Sequence, residues 1–535
     1  MKKNIILSTI ITLVVAFLYF YLFLPPINVT SLQFWFYIAF LLFVFAVSSG
    51  LQSARFIFTR KVNRLEKLSG VLLGIIGLIF VLVVVINFVM SPLFQSSSYA
   101  KRITIKEDGN FSEDVKPVDF TKLPLLDKDS SQKLGDRVMG QMPELVSQFL
   151  VSDLYTQINY NDEIIRVTPL EYNGIFKYFS NRKNGITGYI TVDSVNGESN
   201  LVKLEKGMKY MPSALFFENL NRYLRFHYPT EIFDEAYFEI DNEGKPYWIV
   251  PTIQYKGIGI RKEVKGAIIL DPVTGKSQQY AIDEIPTWVD HVYAADLIID
   301  QVDDWGKYKN GFFNSIFGQK DVVATTQGYN YTVMNDDVYL YTGITSVAND
   351  EANVGFILTN LRTKETTFYS IPGAEEYSAM ASAEGQVQQM KYTSTFPLLI
   401  NLNGRPTYLM SLKDNAGLVK MYGFVDVEDY QKVSVSDSSI GIDQAAEQYL
   451  SKIGMDLQDG ADLLWKTIQI QSIKQAMIEG TSYYYITDTT GQRYQSSIKV
   501  SPQMLPFLES GMSIQVGYYA GHVTELNVIE IEQMK

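Results

Sequence analysis

Three uncharged apolar runs open the chain, at residues 4–24 (NIILSTIITLVVAFLYFYLFL), 32–50 (LQFWFYIAFLLFVFAVSSG) and 71–91 (VLLGIIGLIFVLVVVINFVMS). Each is close to the ~20 residues that a helix needs to cross a bilayer. Pro25 and Pro26 follow the first run and no small-x-small site does, so it reads as an uncleaved helix and not as a leader. Arg55, Arg60, Lys61, Arg64 and Lys67 lie between the second and third runs, whereas PPINVTS between the first and second is uncharged. That asymmetry predicts a cell-membrane protein with three spans, the N-terminus and the basic loop cytoplasmic, and everything after about residue 92 extracytoplasmic.

Beyond the third run, strand-like alternation and helical spacing take turns. Residues 188–199 (GYITVDSVNGES) and 266–277 (GAIILDPVTGKS) agree at Gly188/Gly266, Ile190/Ile268, Asp193/Asp271, Val195/Val273, Gly197/Gly275 and Ser199/Ser277. Each is an apolar strand running into a D-x-V-x-G turn. A third copy, GFILTNLRTKETTFYS at 355–370, has Asn360 at the Asp position and Lys364 at the glycine. The strand ahead of the hairpin repeats too: IRVTPLEYNG (165–174) resembles YWIVPTIQYKG (247–257), and GKPYWIV (244–250) resembles GRPTYLM (404–410), which implies a fourth copy. A self-similar period of this length signals stacked modules.

A stretch with helical spacing precedes each meander. Leu145, Val146, Phe149 and Leu150 share a face in the first; Leu215, Phe216, Leu220 and Leu224 do so in the second, which Pro229 ends. Trp288, Val292, Ala295, Ile299 and Val302 form the third stripe, and GAEEYSAMASAEGQVQQM (373–390) is the fourth. The expected organisation is a three-helix transmembrane region at 1–94, a partly extended stalk at 95–135, and four α+β modules at 136–210, 211–285, 286–372 and 373–436. A linker at 437–464 follows, with a helix at 443–453 capped by Asp443 and ended by Gly454, then a separate unit at 465–535. Its β-β-β-α-β-β order suits a small OB-like barrel. Modules of 65 to 90 residues are marginal alone, which favours packing into an elongated, rigid array.

The helix-plus-meander unit with its final hairpin, clearest at 240–280, resembles the PepSY domain of extracytoplasmic bacterial proteins and protease propeptides. The resemblance implies non-catalytic, interaction-type modules without active residues. TFPLLINLNGRPTYLMSLKDNAGLVKMY (395–422), with GAEEYSAMASAEG before it and GYNYTVMNDDVYLYTGITSV earlier, is similar to a family of uncharacterised membrane-anchored proteins of low-GC Gram-positive bacteria. That likeness implies an address in the cell envelope.

Charge sharpens the division. Up to residue 100 there are seven Lys or Arg and one Glu, net +6; the remaining 39 basic and 57 acidic residues give −18. An acidic exterior argues against nucleic acid as a partner and against docking flat on anionic lipid by charge alone. Zero cysteines removes disulfides, thiolate catalysis, iron–sulfur clusters and Cys-zinc sites together. No G-x-S-x-G, Walker A, G-x-G-x-x-G, H-E-x-x-H or EF-hand pattern occurs, and no cofactor is expected. His227, His291 and His522 lack the paired spacing of a metal site. The S-x-x-K matches at Ser98–Lys101 and Ser130–Lys133 have no K-T-G partner, and Gly70-x-x-x-Gly74 permits close packing of the third span.

Carboxylate pairs are what remains of catalytic chemistry. Asp303/Asp304 and Asp336/Asp337 read as helix-end and turn residues. Glu375, Glu376 and Glu384 lie on a helix otherwise built of small residues, with Glu376 and Glu384 two turns apart on one face; packed and paired with Lys413 and Lys420 in one reading, they line a polar binding groove at a module junction in the other. The leading expectation is a non-enzymatic, membrane-anchored envelope protein displaying binding modules as scaffold or receptor for a protein or cell-wall component. The alternatives are an exported carboxylate-dependent hydrolase of wall polymer and a subunit of a larger membrane complex. The oligomeric state is left open.

Overall fold

The computed structural model describes residues 2–54, 64–161, 163–334, 337–347, 349–453, 464–478, 481–498, 501–518, 525–527 and 530–533. Arg55, Arg60, Lys61, Asp336, Gly454 and His522 lie outside the described residues. Two units are present, at 1–453 and 454–535. In the first, helices α1 (Lys2–Phe23), α2 (Leu32–Ala54) and α3 (Arg64–Val89) are long and apolar enough to cross a membrane. A short helix, α4 (Pro92–Ala100), follows α3 directly.

Residues 101–127 are not an extended stalk but a strap held down at several points. Arg102 pairs with Glu263 at 3.1 Å and with Asp304. Strand β1 (Ile105–Lys106) and helix α5 (Phe111–Asp114) come next, and Phe111 and Val115 enter a hydrophobic core. Leu126 N–H then donates to the Ser194 carbonyl at 3.0 Å. Apolar and hydrogen-bonding residues spaced along a polar sequence give no period, which is why the segment reads as linker.

Asp127 caps α6 (Lys128–Gly140), accepting from Ser130 N–H at 3.0 Å, and α7 (Pro143–Val146) follows. The helix expected around Leu145–Leu150 is therefore earlier in the chain, and Phe149 and Leu150 begin a strand. The first sheet contains β2 (Phe149–Val151), β3 (Thr156–Tyr160), β4 (Glu163–Tyr172), β5 (Ile186–Asp193) and β6 (Ser199–Met208), with α8 (Ile175–Asn181) between β4 and β5. After α9 (Leu220–His227), the second sheet contains β7 (Ile232–Phe233), β8 (Tyr237–Ile240), β9 (Pro246–Tyr255), β10 (Lys262–Leu270) and β11 (Ser277–Ala281).

Helix α10 (Ala295–Tyr308) starts after Trp288 and Val292, so only the later part of that stripe is helical. The third sheet follows as β12 (Val323–Thr325), β13 (Asn330–Met334), β14 (Asp337–Ser346), β15 (Asn349–Asn360), β16 (Thr366–Tyr369) and β17 (Gly373–Ala374). Helix α11 (Glu376–Gln386) leads to β18 (Thr393–Ser394), β19 (Leu398–Leu402), β20 (Arg405–Lys413), β21 (Val419–Asp426) and β22 (Val433–Asp437) of the fourth. Helix α12 (Ile442–Lys452) stacks Tyr449 on Phe424 of this sheet; its N-cap is Gly441, not Asp443.

The four sheets share one topology, β2-β4-β5-β6, β7-β9-β10-β11, β12-β14-β15-β16 and β18-β20-β21-β22, with β3, β8, β13 and β19 also on the first long strand. Each first long strand thus carries two short partners on one edge. Between them it offers a carbonyl to the incoming chain: Pro169 to Ser152, Pro251 to Asp234, Gly343 to Thr326 and Ser411 to Thr395. An edge position without a ladder N–H tolerates proline, which accounts for the shared Pro169 and Pro251.

The hairpin turns repeat as well. Asp193 Oδ1 accepts from Val195 and Asn196 N–H, Asp271 Oδ1 from Val273 and Thr274, and Asn360 Oδ1 from Arg362 and Thr363. Lys364 adopts φ 65° where Gly197 and Gly275 have 78° and 76°. Asp426, bonded to Glu428 and Asp429 N–H, holds the fourth turn.

Consecutive sheets share cores. Trp248, Val250, Ile268 and Leu270 face the first sheet, while their alternates Ile249, Ile253, Ala267 and Ile269 face the third with α10. On the third sheet, Leu340 and Ile357 face back while Tyr341 and Phe356 face α11 and the fourth. The stack also curls: Asn159 N–H of β3 donates to Asp290 at 2.8 Å, and Lys133 reaches the Ala416 carbonyl at 2.5 Å, so the first sheet meets the third and fourth.

The stack sits on the ends of the apolar helices. Arg222 and Arg225 of α9 donate to the Tyr21 and Leu24 carbonyls at 3.1 and 3.0 Å, satisfying the otherwise unpaired end of α1. Asn87 of α3 exchanges two hydrogen bonds with the backbone of Ile258, each 2.9 Å, and Gly259 N–H donates to Thr30.

The second unit contains β23 (Leu464–Ile478), β24 (Thr481–Asp488), β25 (Arg493–Ser497), β26 (Ser513–Tyr518), β27 (Glu525–Asn527) and β28 (Glu530–Gln533), ordered β27-β25-β24-β23-β26-β28. The long β23 pairs with β26 along its first half and with β24 along its second. Ile468, Ile486, Tyr494, Ile514 and Val516 form its core.

Candidate functional site

The sequence-predicted site residues do not converge on one groove. Glu376 begins α11 and is fully buried; its Oε1 accepts from the Tyr341 hydroxyl at 2.8 Å, over Gly343 of β14. Asn353 beside it ties the Ile344 and Gly355 N–H groups, and Tyr408 of β20 donates to the Ala374 carbonyl at 3.1 Å. Burial pushes the Glu376 carboxyl above its ordinary range. Glu375 is the N-cap position of α11. Glu384 binds Ser394 through backbone N–H and hydroxyl, both at 2.8 Å, and fastens α11 to β18. Lys413 pairs with Asp127 of the strap, and Lys420 lies 3.7 Å from Asp414.

The other flagged residues have structural partners. Asp303 accepts from Thr325 N–H and hydroxyl at 2.9 Å each, while Asp304 turns to Arg102. Asp337 holds Arg362. His227 bonds the Tyr223 carbonyl, and His291 lies 3.2 Å from Glu239. Among the described residues no group of three or more His, Cys, Asp or Glu has the geometry to hold a metal ion.

A cavity of about 480 Å³ lies where the strap and all four sheets meet. Its floor is Tyr155, just ahead of β3, with Gln157 and Arg166 of the first sheet. Tyr237 of the second and Tyr329 and Tyr331 of the third contribute phenol rings, and Phe396, Leu398, Leu409 and Met410 of the fourth an apolar wall. Leu125, Leu126 and Asp127 of the strap line it too, as do the charged or titratable Lys128, Glu235, His291 and Asp296. The frame is stiff, because fully buried Glu239 accepts the N–H groups of Asp290 and His291, each at 2.9 Å, and Asp290 in turn accepts from β3.

Arg166 is the chemically distinctive group. Its side chain extends from β4, the residue is 6% exposed, and Nη2 donates to the Leu126 carbonyl at 3.4 Å. Nε has no hydrogen-bond partner, and among the described residues no carboxylate forms an ion pair with the guanidinium. Asp127, the nearby acid, is engaged: burial raises its pKa, but hydrogen bonds from Lys413 and Ser130 outweigh this and hold the carboxyl below its usual value. Burial lowers Arg166 only to about 10, so it stays charged at neutral pH. Gln157 Nε2, 2% exposed at the residue level, is likewise without an acceptor. Burial raises the Tyr237 and Tyr331 phenols, which act here as donors and not as bases.

A buried guanidinium without an ion-pair partner beside a spare amide donor, among phenols and apolar side chains with Lys128 and the carboxylates of Asp127, Glu235 and Asp296 at the cavity wall, is chemistry for holding the acidic group of a ligand that also carries hydrogen-bond donors. Sequence reasoning passed over Arg166, although a charge within the apolar run Ile164-Ile165-Arg166-Val167 signals a buried cation. A second cavity, of about 740 Å³, shares Tyr155, Thr156 and Tyr237 with this one and extends to Phe23 and Leu24 at the end of α1. No protein-family model matches the chain, and no curated protein matches it.

Proposed function

We propose that the protein is a non-enzymatic, membrane-anchored envelope receptor, in which four PepSY-like modules curl around a cavity that binds the acidic group of an envelope component through Arg166. The observation that carries this reading is that Arg166, which has no ion-pair partner among the described residues, lines a cavity of about 480 Å³ between four sheets. A charge of that kind costs stability unless an anion meets it, and it persists where binding requires it.

The remaining architecture agrees. The shared strand order and the Asx-type turns at Asp193, Asp271, Asn360 and Asp426 support PepSY-like modules. The parallel pairing of β25 with β27 and the antiparallel pairing of β26 with β28 support an OB-like closure of the C-terminal unit. Loop 24–31 and the end of α3 both contact the second sheet, which supports three crossings with the stack on the outer side, opposite the basic loop.

Native mass spectrometry of the protein released gently from its own membrane tests the proposal. Wild type carries a non-covalent acidic small molecule or peptide, and Arg166→Met does not. Wild type without such a ligand, or a variant that retains it, defeats the receptor reading at this cavity.

A further inference from the structure

A different surface points to the bilayer itself. Helix α8 is a seven-residue turn whose inner side is fixed: Tyr178 is fully buried, and its hydroxyl reaches Glu218 at 2.7 Å and the Leu215 carbonyl at 3.2 Å. Its outer side is apolar. Phe176 is 86% exposed, Ile175 59% and Phe179 55%, and the adjoining Phe216 and Phe217 stand 45% and 52% exposed. A contiguous aromatic face of this kind marks an interaction site.

Its position identifies the occupant. A chain of ring contacts runs from Phe179 to Phe216 at 6.2 Å, and from Phe217 to Tyr21 at 5.8 Å, so the face continues the end of α1. The turn that carries α8 joins β4 to β5. The equivalent turn of the next sheet, between β9 and β10, is the one that inserts Ile258 and Gly259 between loop 24–31 and Asn87 of α3. Equivalent turns of neighbouring modules therefore emerge on the side of the apolar helices. Lys177 and Lys183, which have no ion-pair partner among the described residues, flank the aromatic side chains as interfacial basic residues do.

We infer that α8 and the Phe216–Phe217 turn seat in the headgroup region of the membrane crossed by α1, α2 and α3, as a second, monotopic contact that fixes the tilt of the stack. The face is preformed: Arg182 holds Glu218 at 3.1 Å and Arg222 Nη1 holds the Phe216 carbonyl at 2.9 Å, so little ordering accompanies insertion.

The cysteine-free chain allows a direct test. Phe176→Cys and, as a control on the β21–β22 turn, Tyr430→Cys each create one thiol for an environment-sensitive fluorophore. Each full-length protein is reconstituted in vesicles of phosphatidylglycerol and phosphatidylethanolamine. The expected result is a blue-shifted label at 176 that brominated acyl chains quench and aqueous iodide does not, with the opposite behaviour at 430. Adding Phe179→Asp should abolish lipid quenching at 176 while leaving thermal unfolding in detergent unchanged. Iodide access at 176 without lipid quenching would mean a solvated face. Shielding from both quenchers would mean a protein partner or a second copy of the chain. Either result overturns the inference, as does lipid quenching that survives Phe179→Asp.

Discussion

Glu376 and Arg166 are both single charged groups, more than nine-tenths buried where sheets of the stack meet, yet their surroundings differ in kind. Glu376 is closed in by Tyr341, Asn353 and the backbone of Gly343; Tyr341 satisfies its Oε1, while Oε2 has no hydrogen-bond partner. Arg166 opens onto a cavity shared by four sheets. Burial raises the Glu376 pKa, so the carboxyl gains a proton more readily than an exposed one does. The guanidinium has no such option, since even at about 10 its pKa keeps the charge. A buried carboxyl can shed its charge by binding a proton, whereas a guanidinium that stays charged without an ion-pair partner favours a counter-ion.

The largest effect that sharpens this contrast is expected from Glu376→Ala, which leaves a cavity and strips Tyr341 of its acceptor. A loss of about 3 kcal/mol should appear in denaturant unfolding, against about 1 for Glu376→Gln. Gly343→Ala attacks the same junction from the strand. An added Cβ would meet the Glu376 carboxyl and lie 2.7 Å from Asn353 Nδ2, and a loss of about 2 kcal/mol is expected. Arg166→Met should move the other way and stabilise the ligand-free protein by about 1–2 kcal/mol, read as a higher unfolding midpoint. If Arg166→Met destabilises as Glu376→Ala does, the two sites are alike and the contrast fails.

The smallest effect is in pH dependence. Because the folded Glu376 carboxyl lies above its ordinary value of 4.5, its contribution is fully present below that value and is lost as pH rises through the folded pKa. Unfolding midpoints followed across that window should fall less with rising pH in Glu376→Gln than in wild type. Parallel profiles would show that folding leaves the Glu376 pKa unshifted.

Much of the stack was legible in the sequence because strands and turns repeat their chemistry. Asp193, Asp271 and Asn360 mark equivalent hairpins through one side-chain-to-backbone pattern. Asp426 escaped because its turn runs on to Lys432 without a glycine, so no D-x-V-x-G survives. The first helix was misplaced because α6 offers few apolar positions, while Phe149 and Leu150 offered a helical spacing that pairing with β4 overrides. The strap has the sequence of a stalk because its anchors, Arg102 and Asp127, find partners more than 150 residues away. Glu376 could be singled out from its setting of small residues, but not its burial. Arg166 was visible as a charge in an apolar strand, whereas the absence of a counter-ion is a property of the assembled sheets alone.

The most direct test of the central claim is a cryo-electron-microscopy map of the full chain in nanodiscs formed from its native membrane. The account predicts density for an acidic group within hydrogen-bond distance of the Arg166 guanidinium and the Gln157 amide, bounded by Tyr237, Tyr331 and the Leu409–Met410 wall. A map in which Arg166 turns to Asp127 as an ion pair, with only water in the cavity, would contradict it.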